Sequence, residues 1–131
     1  MTNPILERIL YVEDDPDIQS IAKLALEDLG GFTVEVCLSG REALKLAPEF
    51  SPQLMILDVM MPGMDGPTTL AELRKLPTLE NVPAIFMTAK VQKQEVADYK
   101  ALGAVDVIAK PFDPMTLAEQ VSSIWERCYG Q

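Results

Sequence analysis

Five short apolar or β-branched runs alternate with five amphipathic stretches along this chain, and that alternation leaves few folds open. The runs are Arg8–Val12, Thr33–Cys37, Leu54–Leu57, Pro83–Met87 and Val105–Ala109. Strand followed by helix, repeated, builds right-handed βαβ units: a parallel sheet with helices on both faces. The middle run, Leu54-Met-Ile-Leu57, shows no polar alternation, as expected of a strand buried on both sides. With 131 residues, 48% of them apolar, the chain is long and greasy enough for one folded domain with a real core.

The helical stretches carry their own punctuation. Asp15 is placed to cap the first, with Pro16 at its first position. Its inward stripe reads Ile18, Ile21, Ala22, Ala25 and Leu29, and Gly30-Gly31 ends it. Ser39 and Glu42 form a capping-box pattern for the second, which Pro48 is expected to stop. Pro67 opens the third, with Leu70, Leu73 and Leu76 inward and Pro77 at its end. Val91 to Leu102 reads as the fourth, with Val96, Tyr99, Ala101 and Leu102 as its apolar side and Gly103 as its stop. Asp113 caps the fifth at Pro114, with Leu117, Val121, Ile124 and Cys128 on one face. No linker or repeat interrupts the series. A single domain over residues 1–131, with its core at about 8–128, is the expectation.

Composition excludes several functions. The chain has no histidine, which removes histidine catalysis and histidine-ligated metal. Its net charge of −9 argues against gripping nucleic acid and suits a divalent cation or a basic protein surface better. Cys37 and Cys128 are too few and too far apart for a metal framework, and read as reduced thiols of a cytosolic protein. The N-terminus lacks a basic region and a long apolar stretch, so it does not read as a signal peptide. No apolar run approaches the ~20 residues of a membrane span. A cytoplasmic protein without membrane contact is expected.

The chemistry gathers at strand ends. All strands of a parallel sheet point one way, so their carboxyl ends share a rim, where ligands bind in open α/β sheets. Glu13, Asp14 and Asp15 follow the first strand, Asp58 ends the third, Thr88 the fourth and Lys110 the fifth. If the first and third strands are neighbours, several carboxylates converge and raise each other's pKa. A hard cation such as Mg²⁺ relieves that repulsion. A carboxylate beside it can act as a nucleophile toward phosphorus, with Lys110 and the Thr88 hydroxyl contacting the phosphoryl oxygens. Each residue alone has an ordinary alternative. Asp58 could simply start a turn, the Glu13–Asp15 cluster could be solvated charge at a helix start, Thr88 could be a cap, and Lys110 a surface lysine.

Together these residues resemble the receiver domain of two-component response regulators. The likeness runs from about Arg8 to the final helix. Its motifs are Ile9-Leu-Tyr-Val-Glu-Asp-Asp-Pro16, Leu57-Asp58 with Met61-Pro62-Gly-Met-Asp-Gly66, Met87-Thr88-Ala89, and Lys110-Pro111-Phe112. The resemblance implies a flavodoxin-like, doubly wound five-stranded sheet in the order 2-1-3-4-5 with five helices. It implies Asp58 as phosphoacceptor and Mg²⁺ held by Asp14, Asp58 and the backbone carbonyl of Met60, with Glu13 acting through water. Thr88 and Lys110 match the phosphate-sensing hydroxyl and the salt-bridging lysine, and Lys110-Pro111 matches a cis bond. The implied donors are a histidine kinase or a histidine phosphotransfer protein. The implied output is a changed surface for a downstream protein, with dimerisation on phosphorylation open and Trp125 near such a surface.

One position departs from the family. Three residues before the lysine, where an aromatic ring is common, stands Val107, a β-branched side chain with no ring to swing. That keeps a phosphate-independent binding module in view. A haloacid-dehalogenase-like phosphatase ranks lower, since it wants an acid where Met60 stands. A flavin carrier ranks lower too, because Glu13-Asp14-Asp15 would repel its phosphate.

Overall fold

A computed structural model describes residues 4–129. Its strands are β1 (Arg8–Val12), β2 (Thr33–Cys37), β3 (Leu54–Asp58), β4 (Ala84–Thr88) and β5 (Asp106–Ala109). Its helices are α1 (Pro16–Leu24), α2 (Gly40–Phe50), α3 (Gly66–Leu73), α4 (Lys93–Ala101) and α5 (Leu117–Tyr129). The sheet is wholly parallel in the order β2-β1-β3-β4-β5, the flavodoxin-like arrangement. The chain therefore reverses direction of travel across the sheet after β2, which puts β1 and β3 side by side.

The pleat divides the core in two. Ile9, Tyr11, Leu54, Ile56, Ile85, Met87 and Ile108 face α1 and α5. Leu10, Val12, Met55, Leu57, Ala84 and Phe86 face the other way, toward residues of α2 and α3. Successive side chains of a strand alternate faces, and β3 and β4 are buried on both, which explains their unbroken apolar sequence.

The expected caps at Asp15 and Ser39 are present and Asp65 adds one, whereas Asp113 accepts the Met115 N–H in a turn, and α5 begins at Leu117 rather than at Pro114. Asp15 Oδ1 accepts the backbone N–H groups of Asp17 and Ile18 at 2.9 and 3.3 Å. Ser39 Oγ accepts that of Glu42 at 3.1 Å. Asp65 Oδ1 caps α3 through Thr68 at 2.8 Å, with Pro67 in its first turn. Gly31 closes the first helical stretch at a φ of +73°, a conformation that suits glycine.

Several expectations need correction. Pro48 does not stop α2, which runs on to Phe50. A proline near a helix end forfeits one hydrogen bond but leaves the remaining turn intact, and Ser51 closes it at a φ of +54°. Ile21 and Leu29 lie outward, 48% and 55% exposed, while Gln19 and Leu26 take inward places. Residues Ala25–Leu29 wind as a π-turn, whose wider step rotates Leu29 off the stripe. In α4 no residue is buried: Val96 and Tyr99 are half-covered, and Ala101 and Leu102 are exposed. In α5 Cys128 is exposed and Trp125 buried, its Nε1 donating to the Pro4 carbonyl at 2.9 Å. Trp125 thus marks core packing rather than a free surface. No helix among the described residues is long and apolar enough to cross a membrane.

Candidate functional site

Alternation along the strands assembles the site. Tyr11 and Glu13 stand two apart, as do Ile56 and Asp58, and Ile108 and Lys110, so each pair points to the same side of the sheet. Parallel pairing then brings the strand ends to one rim. The rim is stitched across by backbone bonds from Glu13 N–H to the Cys37 carbonyl (3.0 Å), Val59 N–H to that of Met87 (3.1 Å), and Lys110 N–H to that of Thr88 (2.9 Å). The Lys110-Pro111 peptide is cis.

Carboxylate oxygens of Glu13, Asp14 and Asp58 lie within 4.8 Å of one another. Glu13 and Asp58 are buried, 1% and 3% exposed, and Asp14 is half-buried. Lys110 reaches into this group. Its Nζ lies 2.9 Å from Glu13 Oε1 and 3.3 Å from Asp58 Oδ1. One ammonium thus contacts two members of a group of three carboxylates. Burial pushes the Asp58 carboxyl up to about 7, Glu13 adds to the rise, and Lys110 opposes it. Hydrogen bonds and charge from Glu13 and Asp58 push the Lys110 ammonium upward, against the effect of its own desolvation. Three hard oxygen donors in excess of one cation suit a divalent metal of the Mg²⁺ type.

Glycine makes the approach to the site possible. A Cβ on Gly66 would lie 2.6 Å from the Asp58 carbonyl oxygen and 2.9 Å from Val59 Cα, so no larger residue fits where α3 starts. The Gly66 N–H donates to the Val59 carbonyl at 2.9 Å, drawing the loop after Asp58 back over the strand end.

Thr88 is buried at the end of β4. Its Oγ1 accepts the Lys90 N–H at 3.1 Å, two residues on, and does not cap α4. That helix is entered at Gln92, whose N–H donates to Glu95 Oε1 at 3.0 Å. Met60 projects its side chain outward, 68% exposed, beside the acidic group. Val107 is half-buried against the cluster that holds Phe86 and Tyr99.

Two residues of the site escape sequence reasoning. Gln19 Nε2 donates to the carbonyls of Glu13 (3.3 Å) and Cys37 (3.1 Å), bracing the loop that carries the acids. The Tyr11 hydroxyl, with one proton to give, has two acceptors within reach, Glu13 Oε1 at 3.4 Å and Met87 Sδ at 3.7 Å. The available signals were faint: a polar residue on the inward stripe of α1, and one phenol in an otherwise aliphatic strand.

With this geometry in view, comparison with known proteins is decisive. The response regulator receiver domain model matches residues 9–122, and the chain belongs to that family. It is 38% identical over 113 residues to a 14.6 kDa protein of Leptolyngbya boryana, covering 86% of each. It is 32% identical over 127 residues to response regulator Rre1 of Synechocystis, covering 97% of this chain and 54% of that one. Among solved structures, the chemotaxis response regulator CheY4 of Vibrio cholerae superposes with a TM-score of 0.84 at 29% identity, over 92% of this chain and 99% of that one. Beside the Leptolyngbya protein, the chain spans about half the length of the curated relatives it matches, several of them named as transcriptional regulators.

Proposed function

We propose that this chain is a phosphoacceptor switch in which Asp58 takes a phosphoryl group from a histidine kinase or a histidine phosphotransfer protein. One observation carries the reading: three carboxylates from two adjacent strands meet within 4.8 Å, with the Lys110 ammonium 3.3 Å from Asp58. Asp14, Asp58 and the Met60 carbonyl would hold Mg²⁺, with Glu13 contributing through water. The ion supplies positive charge that offsets the carboxylates and the phosphoryl oxygens.

The remaining chemistry belongs to the chain. An Asp58 carboxylate oxygen forms the new bond to phosphorus as the donor's P–N bond breaks, and the leaving imidazole nitrogen keeps that electron pair. Lys110 turns from Glu13 toward the added phosphoryl oxygens, and the Thr88 hydroxyl leaves Lys90 to donate to one of them. Movement of the Thr88–Lys90 segment then carries the change to the loop before α4, since Val107 has no ring to relay it. A changed surface there is read by a downstream protein.

The test uses acetyl phosphate and Mg²⁺. One acid-stable, base-labile phosphoryl group should appear, and Asp58→Asn should abolish it; labelling that survives in the variant would move the acceptor elsewhere. Lys110→Ala should still accept the group and lose the conformational response. The half-buried aliphatic Val107 favours one second reading, a binding module whose partner ignores phosphate. Equal partner capture with and without beryllofluoride would support it.

A further inference from the structure

We propose that Tyr11 is a positioning residue that keeps Glu13 satisfied when Lys110 leaves it for the phosphoryl group. The inference rests on the phosphoacceptor reading and extends it to a residue outside the acidic group. Tyr11 is completely buried, among Ile9, Ile56 and Met87 on the α1/α5 side of the sheet. A buried phenol needs a hydrogen-bond acceptor, and its partners here are Glu13 Oε1 and the softer Met87 sulfur. A neutral phenol has one O–H to give, so Tyr11 is the donor in this contact.

Glu13 Oε1 serves two donors at once. Lys110 Nζ holds it at 2.9 Å, and Tyr11 stands off at 3.4 Å, long for an O–H···O bond. The other oxygen accepts the Asp15 N–H at 3.2 Å. When Lys110 turns toward a charged phosphoryl group, the closest donor departs from a carboxylate that is 1% exposed. The metal would reach Glu13 only through water, so a buried carboxylate that loses its nearest direct donor is destabilised, which would hold Lys110 back. The Tyr11 hydroxyl is already aimed at the vacated oxygen and closes on it. Glutamate, one methylene longer than aspartate, has an extra torsion to restrain, and Tyr11 with the Asp15 N–H supplies that restraint.

Tyr11→Phe keeps the ring and removes only the hydroxyl. Beryllofluoride with Mg²⁺ serves as the phosphoryl mimic, titrated by calorimetry. The expected result is about tenfold to a hundredfold weaker binding, the equivalent of one hydrogen bond to a charged group. In a Glu13→Gln background the same change should have no effect, because no buried charge remains to satisfy. Wild-type affinity in Tyr11→Phe, or equal losses in both backgrounds, would overturn the proposal and leave Tyr11 a packing residue. A separate readout needs neither metal nor mimic: in carbon-13 spectra of the metal-free protein, Tyr11→Phe should shift the Glu13 carboxyl resonance and leave that of Asp106 in place. If the wild type bound no mimic while that shift appeared, the Tyr11–Glu13 contact would stand and the phosphoacceptor reading would fall. No shift would remove the contact itself.

Discussion

The acidic corner between β1 and β3 and the helix α4 beside β5 are restrained very differently. At the corner Glu13 meets Lys110, Tyr11 and the Asp15 N–H, and Gln19 holds two carbonyls behind it. In α4 no residue is buried. Its main anchor is Tyr99, packed edge-on against Phe86 with ring centroids 5.5 Å apart. The helix α5, by contrast, buries Leu117, Ala118, Val121, Ile124 and Trp125. A segment with few buried apolar contacts opens at low cost. On the proposed reading, the difference would separate two tasks: a rigid place to receive a phosphoryl group, and a weakly held element to answer it.

The largest effect should come from crowding the rigid side. Gly66→Ala puts a methyl group against the Asp58 carbonyl and Val59 backbone, where no flexible side chain can yield. A loss of about 3 kcal/mol is expected in urea denaturation, within the range of overpacked cores. A loss below the cost of an ordinary surface change would show that the corner is softer than its bonding suggests.

A smaller and opposite effect follows from the charge at Asp58. Its carboxyl is held up to about 7 mainly by burial, against about 3.9 when unfolded. Between those values the folded state retains a proton that the unfolded state has lost, so this group lowers stability as pH rises through the window. In metal-free protein, Asp58→Asn should therefore stabilise by roughly 1–3 kcal/mol above pH 7 and by almost nothing below pH 4. Mg²⁺ should narrow the gap, because a cation serves the charged wild type and not the amide. A pH-independent gain would assign the effect to packing.

The loose side should respond more gently. Tyr99→Leu removes the aromatic contact on Phe86 and should cost about 1 kcal/mol. Amide exchange should quicken across α4 while acetyl phosphate labelling of Asp58 stays as it was. A matching loss of labelling would tie α4 to the acidic corner more tightly than its contacts indicate. The smallest expected change is dynamic: beryllofluoride should alter microsecond-to-millisecond relaxation from Val91 to Leu102. Silence there would remove the route through the loop after Thr88.

Where sequence reading erred, a neighbour outside the local pattern decided the matter. Ile21 fits the apolar stripe of α1, but Gln19 is drawn inward by the Glu13 and Cys37 carbonyls and the helix turns with it. Ala101 and Leu102 look like a helix's apolar side, yet α4 sits at the margin, with only the last strand beyond it to cover them. Trp125 looks peripheral because it falls off the strict stripe of α5, but the Pro4 carbonyl gives its indole N–H a partner that allows burial.

Strand and helix succession, the caps at Asp15 and Ser39, and the identity of the five rim residues Glu13, Asp14, Asp58, Thr88 and Lys110 were all present in the order of residues. They depend on periodicity and on short-range bonding, which reach only a few positions along a chain. The meeting of Glu13 with Lys110, the phenol of Tyr11 behind it, and the sparing contact of α4 with the core belong to the tertiary structure. Each depends on distance between residues far apart in sequence or on how fully one element covers another, and local pattern carries neither quantity.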